Sequence, residues 1–173
     1  MTAVIYKSKY GSTKRYAEWL AEALGADLLV RESVRAERLR QYDTLIYGGG
    51  IYAGGIAGIS LLKNCFPAAE GQRLAVFAVG AAPETPESRK ALLSKNFTPA
   101  MAEAPLFMLR GAMDFGKMTL KDRMMMNLMK KMLDKKPEEE REEWEKNLMS
   151  LWGRASDWCD PANLQPILNW AEN

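Results

Sequence analysis

No histidine occurs among the 173 residues, so Ser-His-Asp and Cys-His catalysis and zinc sites with imidazole ligands are all excluded. The only cysteines, Cys65 and Cys159, are far apart and form no C-x-x-C pair, which removes disulfide frameworks and iron–sulfur sites. What remains is a set of hydroxyls and glycines at turns. Ser8-Lys9-Tyr10-Gly11-Ser12-Thr13 separates a β-forming apolar run from helical periodicity. At such a bend the free N–H groups and dipole of a helix start favour an anion, and the hydroxyls add donors. The lysine-bearing G-x-x-x-x-G-K-[ST] loop is absent, so the segment suits a terminal monophosphate that is held but not cleaved. The simpler alternative is that Ser12 or Thr13 only caps the helix. No side chain stands out as catalytic and no cluster as a metal site, so any chemistry belongs to a cofactor.

A second glycine-dense stretch runs from Gly49 and Gly50 through Ile51, Tyr52, Ala53 and Gly54 to Gly55. Gly48 to Ala53 formally matches the G-x-G-x-x-[GA] dinucleotide fingerprint, with Glu70 downstream. The match is weak, because two more glycines follow before helical periodicity begins and the stretch does not belong to the first βαβ unit. Glycine density beside Tyr52 instead suggests close backbone approach to a flat aromatic ligand, with the phenol ring available for stacking. A half-exposed loop tyrosine without a ligand is the plainer reading.

The elements that must position these turns follow from the apolar pattern. Thr2–Lys7, Asp27–Val30, Asp43–Gly48, Arg73–Gly80 and Leu106–Leu109 read as strands. Helices are expected from Tyr16 to Leu24, through Ile59, Leu62 and Phe66, over Ser88–Leu93, over Thr119–Leu133 and over Ala162–Ala171. Strands alternating with helices across short loops imply a parallel sheet covered on both faces. With no repeat and no low-complexity linker, one domain over residues 1–173 is expected. Lys and Arg total 24 against 22 Asp and Glu, a net charge of +2, which does not favour nucleic acid as partner. The first residues read as a strand and no apolar run reaches membrane-spanning length, so a cytoplasmic location is expected.

These residues resemble the flavodoxin family over essentially the whole chain, most specifically in the loop Ser8–Thr13 and its position. The resemblance implies a doubly wound, flavodoxin-like α/β fold with a five-stranded parallel sheet of order 2-1-3-4-5. It implies non-covalently bound FMN, with Ser8, Lys9, Tyr10, Gly11, Ser12 and Thr13 around the phosphate. The ring would be flanked by Gly49–Gly54 and by Gly80, Ala81, Ala82 and Pro83. Tyr10 stands where such proteins often have a hydroxyl residue of Ser or Thr type, so one side-chain donor is lost while Ser8, Ser12 and Thr13 keep theirs. A phosphoacceptor receiver domain of the same topology would need a carboxylate where the chain has Gly48. Electron-carrying flavodoxins are typically strongly acidic and this chain is not. A less negative flavin potential is therefore expected.

The segment after the fifth strand, from Arg110-Gly111-Ala112-Met113-Asp114-Phe115 into Lys117–Met126, is similar to a branch that includes the menaquinone-dependent protoporphyrinogen dehydrogenases. That likeness implies an alternative to simple electron transfer, a flavin-dependent dehydrogenase passing electrons from a protoporphyrinogen-like substrate to a quinone. Residues 117–160 form a basic, methionine-rich helix and a charged extension. Lys117–Lys136 carries seven basic residues against Asp122 and Asp134, hence +5. Leu120, Met124 and Leu128, with Met132 or Lys131 completing the row, and Met125 and Met129 beside them, make the helix amphipathic. It could meet anionic lipid, a quinone or an acidic partner. The commoner cause of such spacing is a stripe facing the core with its cations solvated, and that is the expected arrangement. The acidic run Glu138–Lys146 is expected to be solvated. Trp144, Trp152 and Trp158 could pin the extension to the body.

Overall fold

The computed structural model describes residues 1–173. Five strands, Thr2–Lys7 (β1), Asp27–Val30 (β2), Thr44–Tyr52 (β3), Arg73–Gly80 (β5) and Leu106–Arg110 (β6), form a parallel sheet of order β2-β1-β3-β5-β6. This is the expected order. A two-residue strand, Gly55–Ile56 (β4), folds back antiparallel on the end of β3. The crossovers include the helices Ser12–Leu24 (α1), Ser60–Cys65 (α2) and Pro86–Asn96 (α3).

Alternation along the strands builds two cores. Ala3, Ile5, Leu45, Tyr47, Val76 and Ala78 point to one face, where they meet Ile59 and Leu62 at α2, Leu92 of α3, and the Leu39–Tyr42 segment. Val4, Tyr6, Ile46, Phe77 and Val79 point to the other, against Tyr16, Ala17 and Leu20 of α1 and Ile167 of the last helix, Gln165–Glu172 (α6). Burial of a Leu or Ile side chain is worth about 1.5–3 kcal/mol, and Ile5, Leu20, Leu45, Ile46 and Leu62 are each fully buried. The central strands are covered on both faces, which explains their near-continuous apolar sequence.

Strand β3 runs four residues past its expected end. Gly49 and Gly50 are not loop residues but continue the ladder from Gly48, the three lying opposite Phe77, Ala78 and Val79. Their missing side chains make room for neighbours: a Cβ on Gly48 would lie 2.0 Å from the Phe77 ring, and one on Gly49 would lie 2.5 Å from Ile56. Glycine here serves packing.

Beyond β6 the chain forms Ala112–Met113 (β7), Leu120–Asp134 (α4), Glu143–Ser150 (α5) and Ser156–Asp157 (β8). β7 and β8 pair antiparallel, a contact with no signal in two residues of sequence. The expectation that the α4 stripe faces a core is overturned. Leu120, Met124, Leu128 and Met132 are 62–78% exposed, while Asp122 and Leu133 are the buried positions of the helix. The Arg110 guanidinium of β6 sits 3.9 Å from the Trp158 ring, so Trp158 pins the extension to the sheet, while Trp152 packs within the extension, against Phe115 at 4.5 Å. The Trp144 indole bonds only to neighbouring Glu142. Glu138, Glu139 and Glu140 are exposed, whereas Glu145 is buried and pairs with Lys136 at 2.7 Å.

Candidate functional site

The bend between β1 and α1 lies where the chain order of the sheet reverses, with β2 on one side of β1 and β3 on the other, the usual ligand position in open parallel sheets. Gly11 precedes α1 with φ of 97°, a conformation that favours glycine, and no atom lies within 4 Å of the place a Cβ would occupy. Its N–H donates to the Ser8 hydroxyl at 3.0 Å. The N–H groups of Ser12, Thr13 and Lys14, in the first turn of α1, have no partner within the chain, and Arg15 is the first to bond back, to Gly11. These are anion-binding donors held in one turn by a rigid helix. Thr13 is buried and its hydroxyl lies beside Gly50, near 3.6 Å from the position of a Cβ there. Neither Ser12 nor Thr13 is the N-cap, and Gly11 in that role makes no side-chain bond.

Ser12 also ties the bend to the extension, because its hydroxyl accepts the Ala112 N–H at 2.8 Å. Gly111 permits that approach, since a Cβ there would lie 2.7 Å from Val79 and 2.9 Å from Ser12. The Tyr16 hydroxyl donates to the Arg110 carbonyl at 2.8 Å on the same side.

The expected ring-contacting segments assemble beside this bend. Tyr52, Ala53, Gly54 and Gly55 make the β3–β4 hairpin, with Ala53 and Gly54 at positive φ. Buried Asn96 fixes the hairpin by accepting the Ile56 N–H at 2.9 Å and donating to the Gly54 carbonyl at 3.1 Å. Lys95 donates to the Ala53 carbonyl at 2.6 Å. Ile51 packs on Gly80, the last residue of β5, and in the loop that follows the Ala81 carbonyl accepts from Arg110 at 3.2 Å. Ala82 is exposed and Pro83 half-buried. Gly49 is buried in the ladder, so it shapes the site from beneath.

Asp122 of α4 closes over the mouth of these loops. Its carboxylate, 5% exposed, accepts from Lys9 Nζ at 2.5 Å, from the Tyr10 hydroxyl, and from the Tyr52 hydroxyl at 3.1 Å. The Tyr10 hydroxyl also accepts the Thr119 N–H at 3.2 Å, and the Lys9 ammonium stands 5.0 Å from the Tyr52 ring centre. Hydrogen bonds from Lys9 first, then Tyr10, hold the Asp122 carboxyl down to about 2, and the same contact raises Lys9. Tyr10 thus has a partner of its own in the place of a phosphate-binding hydroxyl. Asp122, Lys95 and Asn96 are the residues that sequence reasoning did not single out for the site. Nothing local marks Asp122, whose partners Lys9 and Tyr10 are more than a hundred residues away. A surface cleft of about 730 Å3 lies elsewhere, along β6 and the C-terminal segment, and includes Arg89, Arg110, Asp157 and Trp158. The unpartnered donors belong to the bend.

A flavodoxin domain model matches residues 3–140, and the chain belongs to that family. Among solved structures it is similar to the Trp repressor binding protein of Bacillus subtilis, with 20% identity, 64% of this chain and 85% of that chain covered, and a TM-score of 0.49. It is also similar to a WrbA-like flavodoxin protein of Agrobacterium tumefaciens, with 22% identity, 70% and 86% covered, and a TM-score of 0.46. A flavodoxin from the domain Archaea shares 19% identity over 72% of this chain and 90% of its own, with a TM-score of 0.44. No match is found among curated proteins.

Proposed function

We propose that this flavodoxin-family chain binds FMN without a covalent bond and acts as a redox protein. The carrying observation is the group of unpartnered N–H donors of Ser12, Thr13 and Lys14, beside the Thr13 hydroxyl, at the reversal point of the sheet. A monoester phosphate fits such donors, which the helix dipole makes more attractive to an anion. Bound there, FMN supplies reversible electron transfer, and the chain supplies geometry and field. The hairpin Ile51–Gly54 and the loop Gly80–Pro83 are positioned to flank the ring, with Tyr52 against its face. Adding FMN to the purified protein and recording the visible spectrum tests this: flavin bands that stay with the protein through desalting are expected, and colourless protein after FMN addition overturns it.

A second reading, a flavin-dependent dehydrogenase that passes electrons from a protoporphyrinogen-like substrate to a quinone, is favoured by one observation. Met125 of α4 brings its sulfur to 3.8 Å from the Tyr52 hydroxyl, so an apolar molecule at the mouth of the site would meet a thioether there. Steady turnover with a quinone acceptor separates this reading from a carrier that exchanges electrons with a redox partner protein.

A further inference from the structure

Helix α4 has two unlike faces. Positions 122 and 133 turn inward, the first onto the candidate site, while Leu120, Met124, Leu128 and Met132 form an outward row at four-residue spacing, each more than 60% exposed. Twelve residues of helix make that row about 18 Å long. At 100° per residue, Lys121, Lys131 and Lys135 fall within the same outward arc, and no acid does. Asp122 lies inward, and Asp134 lies outside the arc, paired with Lys130 at 2.9 Å. Lys121, Lys131 and Lys135 make no ion pair within the chain, whereas Lys117, in the turn before the helix, pairs with Asp114 at 3.6 Å. An exposed apolar row interleaved with unpaired lysines is unusual on a globular surface, where a core-facing stripe normally has its cations on the opposite side.

We propose that this face of α4 docks on an anionic lipid surface, with Leu120, Met124, Leu128 and Met132 entering the acyl boundary and Lys121, Lys131 and Lys135 meeting the headgroups. Charge complementarity decides for this occupant. A second copy presenting the same face would set lysine against lysine, whereas an anionic bilayer satisfies the apolar row and the cations together. Long lysine stems also lie along an apolar surface while their ammonium groups reach the phosphates. No helix of the protein is long and apolar enough to cross a membrane, so the contact is interfacial. The inference goes beyond the flavin reading and stands on the geometry of α4 alone.

Co-sedimentation of the full-length, FMN-supplemented protein with vesicles tests it. Phosphatidylcholine vesicles containing phosphatidylglycerol should bind at least about tenfold more tightly than pure phosphatidylcholine, and high salt should release the protein. Two variants, Lys121→Glu/Lys131→Glu/Lys135→Glu and Met124→Ser/Leu128→Ser, change only exposed side chains. Each should lose most of the binding while keeping the circular dichroism of the parent. A third, Met124→Trp, should show a blue-shifted emission difference from the parent with the anionic vesicles and none with the neutral ones. Absence of vesicle binding, binding that survives Met124→Ser/Leu128→Ser, or a dimer in light scattering that the same variant dissociates would each overturn the proposal. A protein that binds vesicles but stays colourless with FMN would overturn the flavin reading and leave the lipid one standing.

Discussion

Tyr52 offers one ring face to the Lys9 ammonium and its hydroxyl to Asp122, so its phenol is held in one orientation at the tip of the hairpin. Removing the ring by Tyr52→Ala should weaken FMN binding about tenfold in a fluorescence titration, the scale of one aromatic contact; unchanged binding would take Tyr52 out of the site. Asp122 acts through charge. Because its carboxylate reaches the tyrosine proposed to stack on the flavin, Asp122→Asn should raise the midpoint potential of the bound flavin on the order of tens of millivolts, since a fixed negative charge nearby disfavours added electrons. Its protonation has a definite sign. The carboxyl is held at about 2 against an ordinary 3.8, so its support of the α4 contact is complete above 3.8 and is lost as pH falls toward 2. Carbon-13 NMR titration of the Asp122 carboxyl should show that depressed midpoint, and Lys9→Met should move it upward. The loop Ser8–Thr13 was legible because a strand, a glycine and hydroxyls ran straight into helical periodicity. Asp122 was not, because its meaning arises only when the chain returns to the first loop after more than a hundred residues.

Among the elements, β1, β3, β5 and β6 were readable as apolar runs, while the reversal of their order came from the family resemblance and not from the runs themselves. The end of β3 misled. Gly49-Gly50 looks like loop chemistry, yet both residues stay in the ladder beyond Gly48, and Gly48 and Gly49 yield their side-chain volume to Phe77 and Ile56. Gly48→Ala should therefore lower stability in urea by about 1–3 kcal/mol through overpacking. Asn96 holds the far side of the same hairpin with both ends of its amide. Asn96→Leu leaves the Ile56 N–H and the Gly54 carbonyl without these partners, and a loss of about 1–3 kcal/mol is expected in the same measurement. Helix α4 shows the converse limit of sequence. Four-residue spacing correctly marked an apolar stripe, but periodicity carries no information about what covers it.

At the scale of the whole molecule, charge separates this chain from strongly acidic electron carriers. Its net charge is +2, and a positive molecule destabilises reduced, anionic flavin less. Potentiometric titration should place the bound flavin at a less negative potential than in an acidic flavodoxin, and an equally low value would contradict that. The extension after β6 is fastened at both margins of the bend: Ala112 bonds to Ser12, and Asp157 pairs with Arg15 at 2.6 Å. Between those fastenings, one carboxylate of α4 grips Lys9, Tyr10 and Tyr52. Thermodynamic reciprocity then applies to anything that moves this helix. If an external binder favours a tilt that frees Lys9 and Tyr52, it must change the affinity of the loops for their ligand, and a filled site must change the affinity for that binder by the same factor.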